Sequence, residues 1–213
     1  MRRGWVRMVT TGVASAVVLG AFVWFVYRPW ALTWGATEDE AARAMPGDNI
    51  LPEATFSATR AVTVAAPPEH VWPWIVQIGY RRAGFYSYDR LDNDGIPSAT
   101  AILAEYQDLE VGDIVPMSSD AYARVAMLEP ERALVLVFEV EGVWKGSSWA
   151  WALDSHDSSE TRLVTRLRVA SDRILPSLFL DLGEIVMMRR CLLGIKWRAE
   201  AGPDRSQPKR RPG

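Results

Sequence analysis

From Asp113 to Ala170 the chain is a succession of short β-rich runs divided by turn residues, and this stretch restricts the possible folds more than any other. The runs are Asp113–Met117, Tyr122–Leu128, Ala133–Val140, Ser147–Leu153 and Thr161–Ala170. Ser118-Ser119-Asp120, Glu129-Pro130-Glu131, Glu141-Gly142 and Asp154–Glu160 separate them. Strands at this spacing, joined by such tight turns, predict an antiparallel meander. In the last run Leu163, Thr165, Leu167 and Val169 alternate with Arg162, Val164, Arg166 and Arg168. In the run before it Trp149, Trp151 and Leu153 share one face, and Ser148, Ala150 and Ala152 the other.

Two helices accompany this sheet. Phe56–Val64 is a further strand, with β-branched Thr59, Val62, Thr63 and Val64. After it, Pro67-Pro68-Glu69 suits a helix start, and Val71, Trp74, Ile75 and Ile78 form one stripe. Pro73 interrupts the hydrogen-bond ladder of this helix, and Gly79 ends it. From Leu178 to Ala199, Leu178, Leu182, Ile185, Met188, Leu192 and Ile195 recur at helical spacing. Asp181 and Glu184 lie early, and Arg189, Arg190, Lys196 and Arg198 late, as the helix dipole favours. These charges exclude a membrane span here. Strand, helix, loop, antiparallel run and long terminal helix make the expected class α+β, in a helix-grip order.

The amino terminus reads differently. Met8 to Tyr27 carries no charge, and twenty residues at helical rise span about 30 Å, the thickness of bilayer hydrocarbon. Trp5 lies at one end, and Trp24, Tyr27 and Trp30 at the other, where aromatic belts sit. Bulky Tyr27-Arg28-Pro29-Trp30 follows, and the first small-residue cleavage pattern, Ala42-Arg43-Ala44, comes late, so an uncleaved anchor is expected rather than a signal peptide. Arg2, Arg3 and Arg7 precede the span, and Glu38-Asp39-Glu40 follows it. This places the amino terminus in the cytoplasm and the rest outside, as a single-pass protein of the cell membrane. The expected division is 1–30 cytoplasmic arm and transmembrane anchor, 31–52 linker, 53–200 globular domain and 201–213 disordered basic tail. In the linker, Thr37 can cap a short helix beginning at Glu38.

Composition removes several functions. A net charge of −2 and a pI near 5.8 argue against nucleic acid as a partner. His70 and His156 are the only histidines, so a multi-histidine metal site cannot be built, and no metal or other cofactor is expected. Cys191 stands alone, which excludes an internal disulfide. Ser155-His156-Asp157 resembles a catalytic triad only in letters, since loop neighbours cannot adopt its geometry. Asp92, Asn93 and Asp94 lack the spacing of a calcium loop and fit a turn. Ten tryptophans are the compositional oddity, and they suit apolar pockets with a polar lip or a membrane interface.

Gly84–Gly95 concentrates the groups able to do chemistry. The loop offers Tyr86, Tyr88, Asp89, Asp92, Asn93 and Asp94, where tyrosines and a carboxylate can orient the polar end of a ligand, and Tyr86, Tyr88 and Asp89 can also move a proton. Arg60, Arg166 and Arg168 can serve an anionic group or form a solvated face; Arg166 is carried as a candidate.

Several separated motifs bear a family resemblance. They include Trp34-Gly35-Ala36-Thr37, Pro46-Gly47-Asp48, Thr59-Arg60-Ala61-Val62, Val71-Trp72-Pro73-Trp74, Gln77-Ile78-Gly79, Gly84-Phe85-Tyr86-Ser87-Tyr88-Asp89, Val111-Gly112-Asp113 and Leu193-Gly194-Ile195-Lys196. Together, over roughly Trp34 to Glu200, they resemble the START-like (SRPBCC, polyketide cyclase/dehydrase-like) superfamily. The resemblance implies a curved antiparallel sheet gripping the terminal helix around an apolar cavity. On such a cup Trp74, Trp149 and Trp151 can line the cavity. The expected function is a membrane-anchored module that binds a hydrophobic small molecule or lipid. The alternative is a cyclase- or dehydratase-like enzyme working in the same cavity.

Overall fold

The structure, a computed structural model, describes Ser15 and residues 17–140, 143–155, 159–170 and 183–202. Residues 17–22 are α-helical, Val23–Tyr27 form a π-helical turn, and α1 (Arg28–Leu32) continues from it. Then come α2 (Glu38–Ala42), β1 (Phe56–Val64), α3 (Pro68–Val76), α4 (Asp89–Asp92), β2 (Ile114–Pro116), β3 (Tyr122–Glu129), β4 (Ala133–Val140), β5 (Val143–Ser155), β6 (Thr161–Val169) and α5 (Glu184–Ala201). The strands form one antiparallel sheet of six in the order β1-β6-β5-β4-β3-β2. The register slips at Val125/Met127 and at Val137/Glu139, two irregularities of the kind that increase local twist.

Alternation decides what each face buries. Trp149, Trp151, Leu153, Leu163, Leu134, Leu136 and Val125 point to one side, where α3 brings Val71, Trp74 and Ile75. Across the same side α5 lays Met188, Cys191, Leu192, Ile195 and Ala199, a stripe at helical spacing. This is the α+β helix-grip arrangement.

The opposite face is also covered, and here the structure corrects one expectation and decides between two readings of the β6 arginines. Residues 31–52 do not hang as a free linker; they strap the back of the sheet. Met45 packs there with Ala61, Val135, Ala150, Ala152 and Val164. At Gly47, with φ of 85°, an added Cβ would come within 2.6 Å of Val135. The arginines of β6 are the clasps rather than a solvated row. Arg162 grips Glu40 in two bonds of 2.7 and 2.8 Å. Arg166 bonds Asp48 at 2.6 Å, Thr59 at 2.7 Å and the carbonyls of Glu40 and Ala41. Arg168 reaches the carbonyl of Leu51. A guanidinium satisfied in this fork geometry can be buried, and alternation alone cannot reveal that a distant segment returns to cover it. Thr37 caps α2 as expected, in a reciprocal box with Glu40.

The expected transmembrane helix is not found: among the described residues no helix is long and apolar enough to cross a membrane. Residues 1–14 and 16, which carry the rest of the uncharged run and its leading arginines, lie outside the described residues. So do His156, Asp181 and the tail beyond Gly202. The described apolar part, 17–27, would rise only about 16 Å, roughly half the hydrocarbon thickness. Along it Val17, Val18, Leu19, Phe22, Trp24, Phe25 and Val26 are exposed.

The strap's ion pair is pH-dependent. The Arg162 guanidinium lowers the Glu40 carboxyl from 4.5 to about 2. A carboxylate depressed in the folded state stabilises it above its unfolded value, and that contribution disappears as the pH falls through the folded value. Glu40→Gln is expected to cost about 2 kcal/mol in urea denaturation at neutral pH, since solvent screens the pair. The gap between wild type and variant should narrow below pH 4.5 and close by about pH 2.

Candidate functional site

The Tyr86 loop and α5 meet at a joint that divides two spaces. Tyr86 has a φ of 57°, a left-handed conformation costly for a bulky residue and held by its surroundings. Its amide donates to Ser98 Oγ at 3.0 Å, and that hydroxyl donates to Asp89 Oδ1 at 2.5 Å. Its phenol donates to the Trp74 carbonyl at 3.0 Å and accepts from Gln77 Nε2 at 2.9 Å. Gln77 is fully enclosed, and its carbonyl receives the Leu103 amide at 2.9 Å. The Arg198 guanidinium lies 4.5 Å from the centre of the Tyr86 ring. Gly194 of α5 meets the loop backbone directly: a Cβ there would stand 2.5 Å from the Tyr86 carbonyl oxygen.

Between α5 and the sheet is a cavity of about 230 Å³. Phe85, Met117, Phe138, Trp149, Leu167, Met187, Met188 and Cys191 make its apolar wall, and Asp92 and Glu184 its acidic one. Trp149 donates its indole N–H to Thr165 at 2.8 Å, so its polar edge is satisfied within the sheet. Glu184, at the start of α5, pairs with Arg60, which is only 1% exposed and also donates from Nε to the Ala31 carbonyl at 2.8 Å. Burial raises the Glu184 carboxyl despite Arg60, and lowers Arg60 despite Glu184. Burial, with Asp89 nearby, also raises Asp92. The Ser87 hydroxyl and the Tyr88 and Asp92 amides lie near enough to favour the Asp92 anion. The Ser87 proton, however, goes to the Met187 carbonyl at 3.2 Å, and no donor aligns on either Asp92 oxygen.

On the other side of α5 a larger groove of about 700 Å³ runs between the Tyr86–Asp89 loop and the end of the amino-terminal helix. Tyr27, Trp30, Tyr88, Asp89, Trp197 and Arg189, Arg190 and Arg198 line it. Arg190 covers the Tyr88 ring at 5.0 Å and donates to the Ser87 carbonyl at 3.1 Å.

The candidate residues therefore do not form one constellation. Trp149 lines the inner cavity; Tyr86, Tyr88 and Asp89 line the outer groove. Trp74 packs its ring edge-on against Tyr86 with centres 5.9 Å apart, and Trp151 is enclosed beside Trp149 at 4.7 Å. Asn93 is buried and clamps its own loop, accepting from the Arg81 amide at 2.7 Å and donating to the Ile96 carbonyl at 2.8 Å. Arg166 fastens the strap on the far face, away from both spaces. Tyr86 is unsuited to proton transfer in the inner cavity, because both neighbours of its phenol are taken and burial raises its pKa. Burial likewise raises the Cys191 thiol, which disfavours a reactive thiolate. Among the described residues no cluster of three or more metal-ligating side chains occurs.

The sequence reading took Asp92 for a turn residue, weighed Arg60 only together with the β6 arginines and read Glu184 only through the helix dipole, although two of the three carried a further signal. Glu184 stands four residues before Met188, in line with the apolar stripe of α5. Arg60 follows Ala58 and precedes Val62 on the inward alternation of β1.

Fold and site together define a helix-grip protein with a small apolar cavity walled at one side by two acids. No protein-family model and no curated protein matches the chain. Among solved structures it is similar to CalU16 of Micromonospora echinospora, with 17% identity, a TM-score of 0.45 and coverage of 80% of this chain and 81% of that one. DynU16, from the dynemicin biosynthetic locus, is 17% identical with a TM-score of 0.43 over 64% of this chain, which spans only 46% of DynU16. The polyketide-cyclase-like protein Cgl2372 of Corynebacterium glutamicum is 16% identical with a TM-score of 0.35, covering 70% and 90%.

The joint gives a direct test. Gly194→Ala is expected to destabilise the protein by about 1–3 kcal/mol through the clash with the Tyr86 backbone. Helix propensity alone predicts the opposite, a gain of about 1 kcal/mol. Chemical denaturation separates the two by sign.

Proposed function

We propose that this protein is a membrane-anchored START-like module whose inner cavity binds a hydrophobic small molecule or part of a lipid. The observation that supports this most is the cavity itself. A concave, largely apolar space of about 230 Å³ between a sheet and its gripping helix is the kind of site that takes an apolar ligand. It is smaller than most drug-sized sites, which favours one ring or a chain end over a whole sterol.

The anchor rests on the uncharged run Met8–Tyr27 and on the exposed apolar residues of 17–26. Arg2, Arg3 and Arg7 before that run favour an outward-facing domain in the cell membrane. A cyclase- or dehydratase-like enzyme is the second reading. Asp92 favours it, as an acid with a raised pKa at an apolar cavity.

Extraction and native mass spectrometry of the purified protein should find a small hydrophobic molecule bound. Leu167→Phe, which adds volume at the cavity wall, should abolish its retention while the protein stays folded. Retention unchanged by filling would contradict the assignment of the cavity. The full chain should remain with membranes after alkaline carbonate washing, and a chain beginning at residue 31 should be released.

A further inference from the structure

The inner cavity is rich in acceptors and poor in donors. Asp92 and Glu184 present their carboxylates on its wall, and all four oxygens are shielded from water without a well-aligned hydrogen bond. One guanidinium, Arg60, faces Glu184; no second cation lies on the cavity wall among the described residues. The Trp149 N–H is already bonded to Thr165, and the Ser87 hydroxyl to the Met187 carbonyl. Ionised carboxylates only accept hydrogen bonds, and a buried acceptor left without a donor is costly. What this wall lacks is a donor, preferably a charged one.

We propose that the ligand is a small hydrophobic amine, seated with its ring against Phe85, Phe138 and Trp149 and its ammonium on Asp92. This rests on the reading that the inner cavity is the binding site, and it names the class of molecule that fits there. Among the described residues, Asp92 and Glu184 are two carboxylates on this wall with one guanidinium, Arg60, facing Glu184, an excess of one negative charge when all are ionised. An ammonium cancels that excess and supplies up to three donors. Aromatic faces nearby favour a cation further. Size agrees as well. An engineered cavity of about 150 Å³ in another protein holds benzene, so about 230 Å³ admits a ring with a short tail. Burial, with Asp89 nearby, raises the Asp92 carboxyl, and a cation seated beside it would offset that effect.

Three probes that share a phenylethyl skeleton test this on the full chain in mild detergent: 2-phenylethylamine, propylbenzene and 3-phenylpropanoate. Isothermal titration should show the amine binding at least about tenfold more tightly than the hydrocarbon, and no binding of the carboxylate. In Asp92→Asn, checked for folding by thermal denaturation, the ratio of amine to hydrocarbon affinity should fall towards one. If the wild type binds amine and hydrocarbon equally, or prefers the carboxylate, the amine inference is overturned while the binding reading stands. If none of the three binds, both fall.

Discussion

The close approach of Gly194 to the Tyr86 backbone is the constraint on which the rest of the arrangement depends. Only a residue without a side chain lets α5 come this near the loop. Tyr86 holds its left-handed conformation because the Ser98 hydroxyl, the Gln77 amide and the Trp74 carbonyl fix its two ends. With the joint closed, Phe85 faces the cavity under α5 while Tyr88 and Asp89 face the groove beyond it. One loop thus builds a wall for each space.

Charge is handled in opposite ways on the two faces of the sheet. On the back, Arg162, Arg166 and Arg168 are matched by the carboxylates and carbonyls of the strap, so their burial is compensated bond by bond. On the gripping face, Arg60 and Glu184 face each other with little further support, and Asp92 has less. A buried pair of that kind is a poor source of stability, because desolvation rivals the attraction. Both shifts follow burial rather than the partner, as expected where desolvation dominates. Four buried carboxylate oxygens without an aligned hydrogen bond thus lie on the cavity wall.

Much of this architecture was legible in the sequence. Alternation in Trp149–Leu153 and Leu163–Leu167 identified the inward face, and the stripe through Met188, Leu192 and Ile195 identified the gripping helix. Thr37 and Glu40 announced a capped helix, which the structure contains. Those features are local, and a period of two or 3.6 suffices to read them. The return of residues 31–52 onto the β6 arginines was not legible, because it joins positions more than 100 residues apart. Nor could periodicity show that Asp92 would wall the cavity while Asp89, three residues earlier, turned to the groove. The sequence pointed to a pocket lip at Gly84–Gly95; how much empty space lies behind it depends on packing across elements.

The central claim is that ligand enters the space between α5 and the sheet rather than the groove outside α5. Methionine methyl resonances report on this directly. Met117, Met187 and Met188 line the inner cavity, whereas Met45 packs beneath the strap on the other face of the sheet. With methyl-labelled protein and an aromatic amine as probe, the account predicts saturable shifts at Met117, Met187 and Met188. It predicts none at Met45 or at the indole of Trp197 in the groove. Shifts at Trp197 with the three inner methyls unmoved would contradict it.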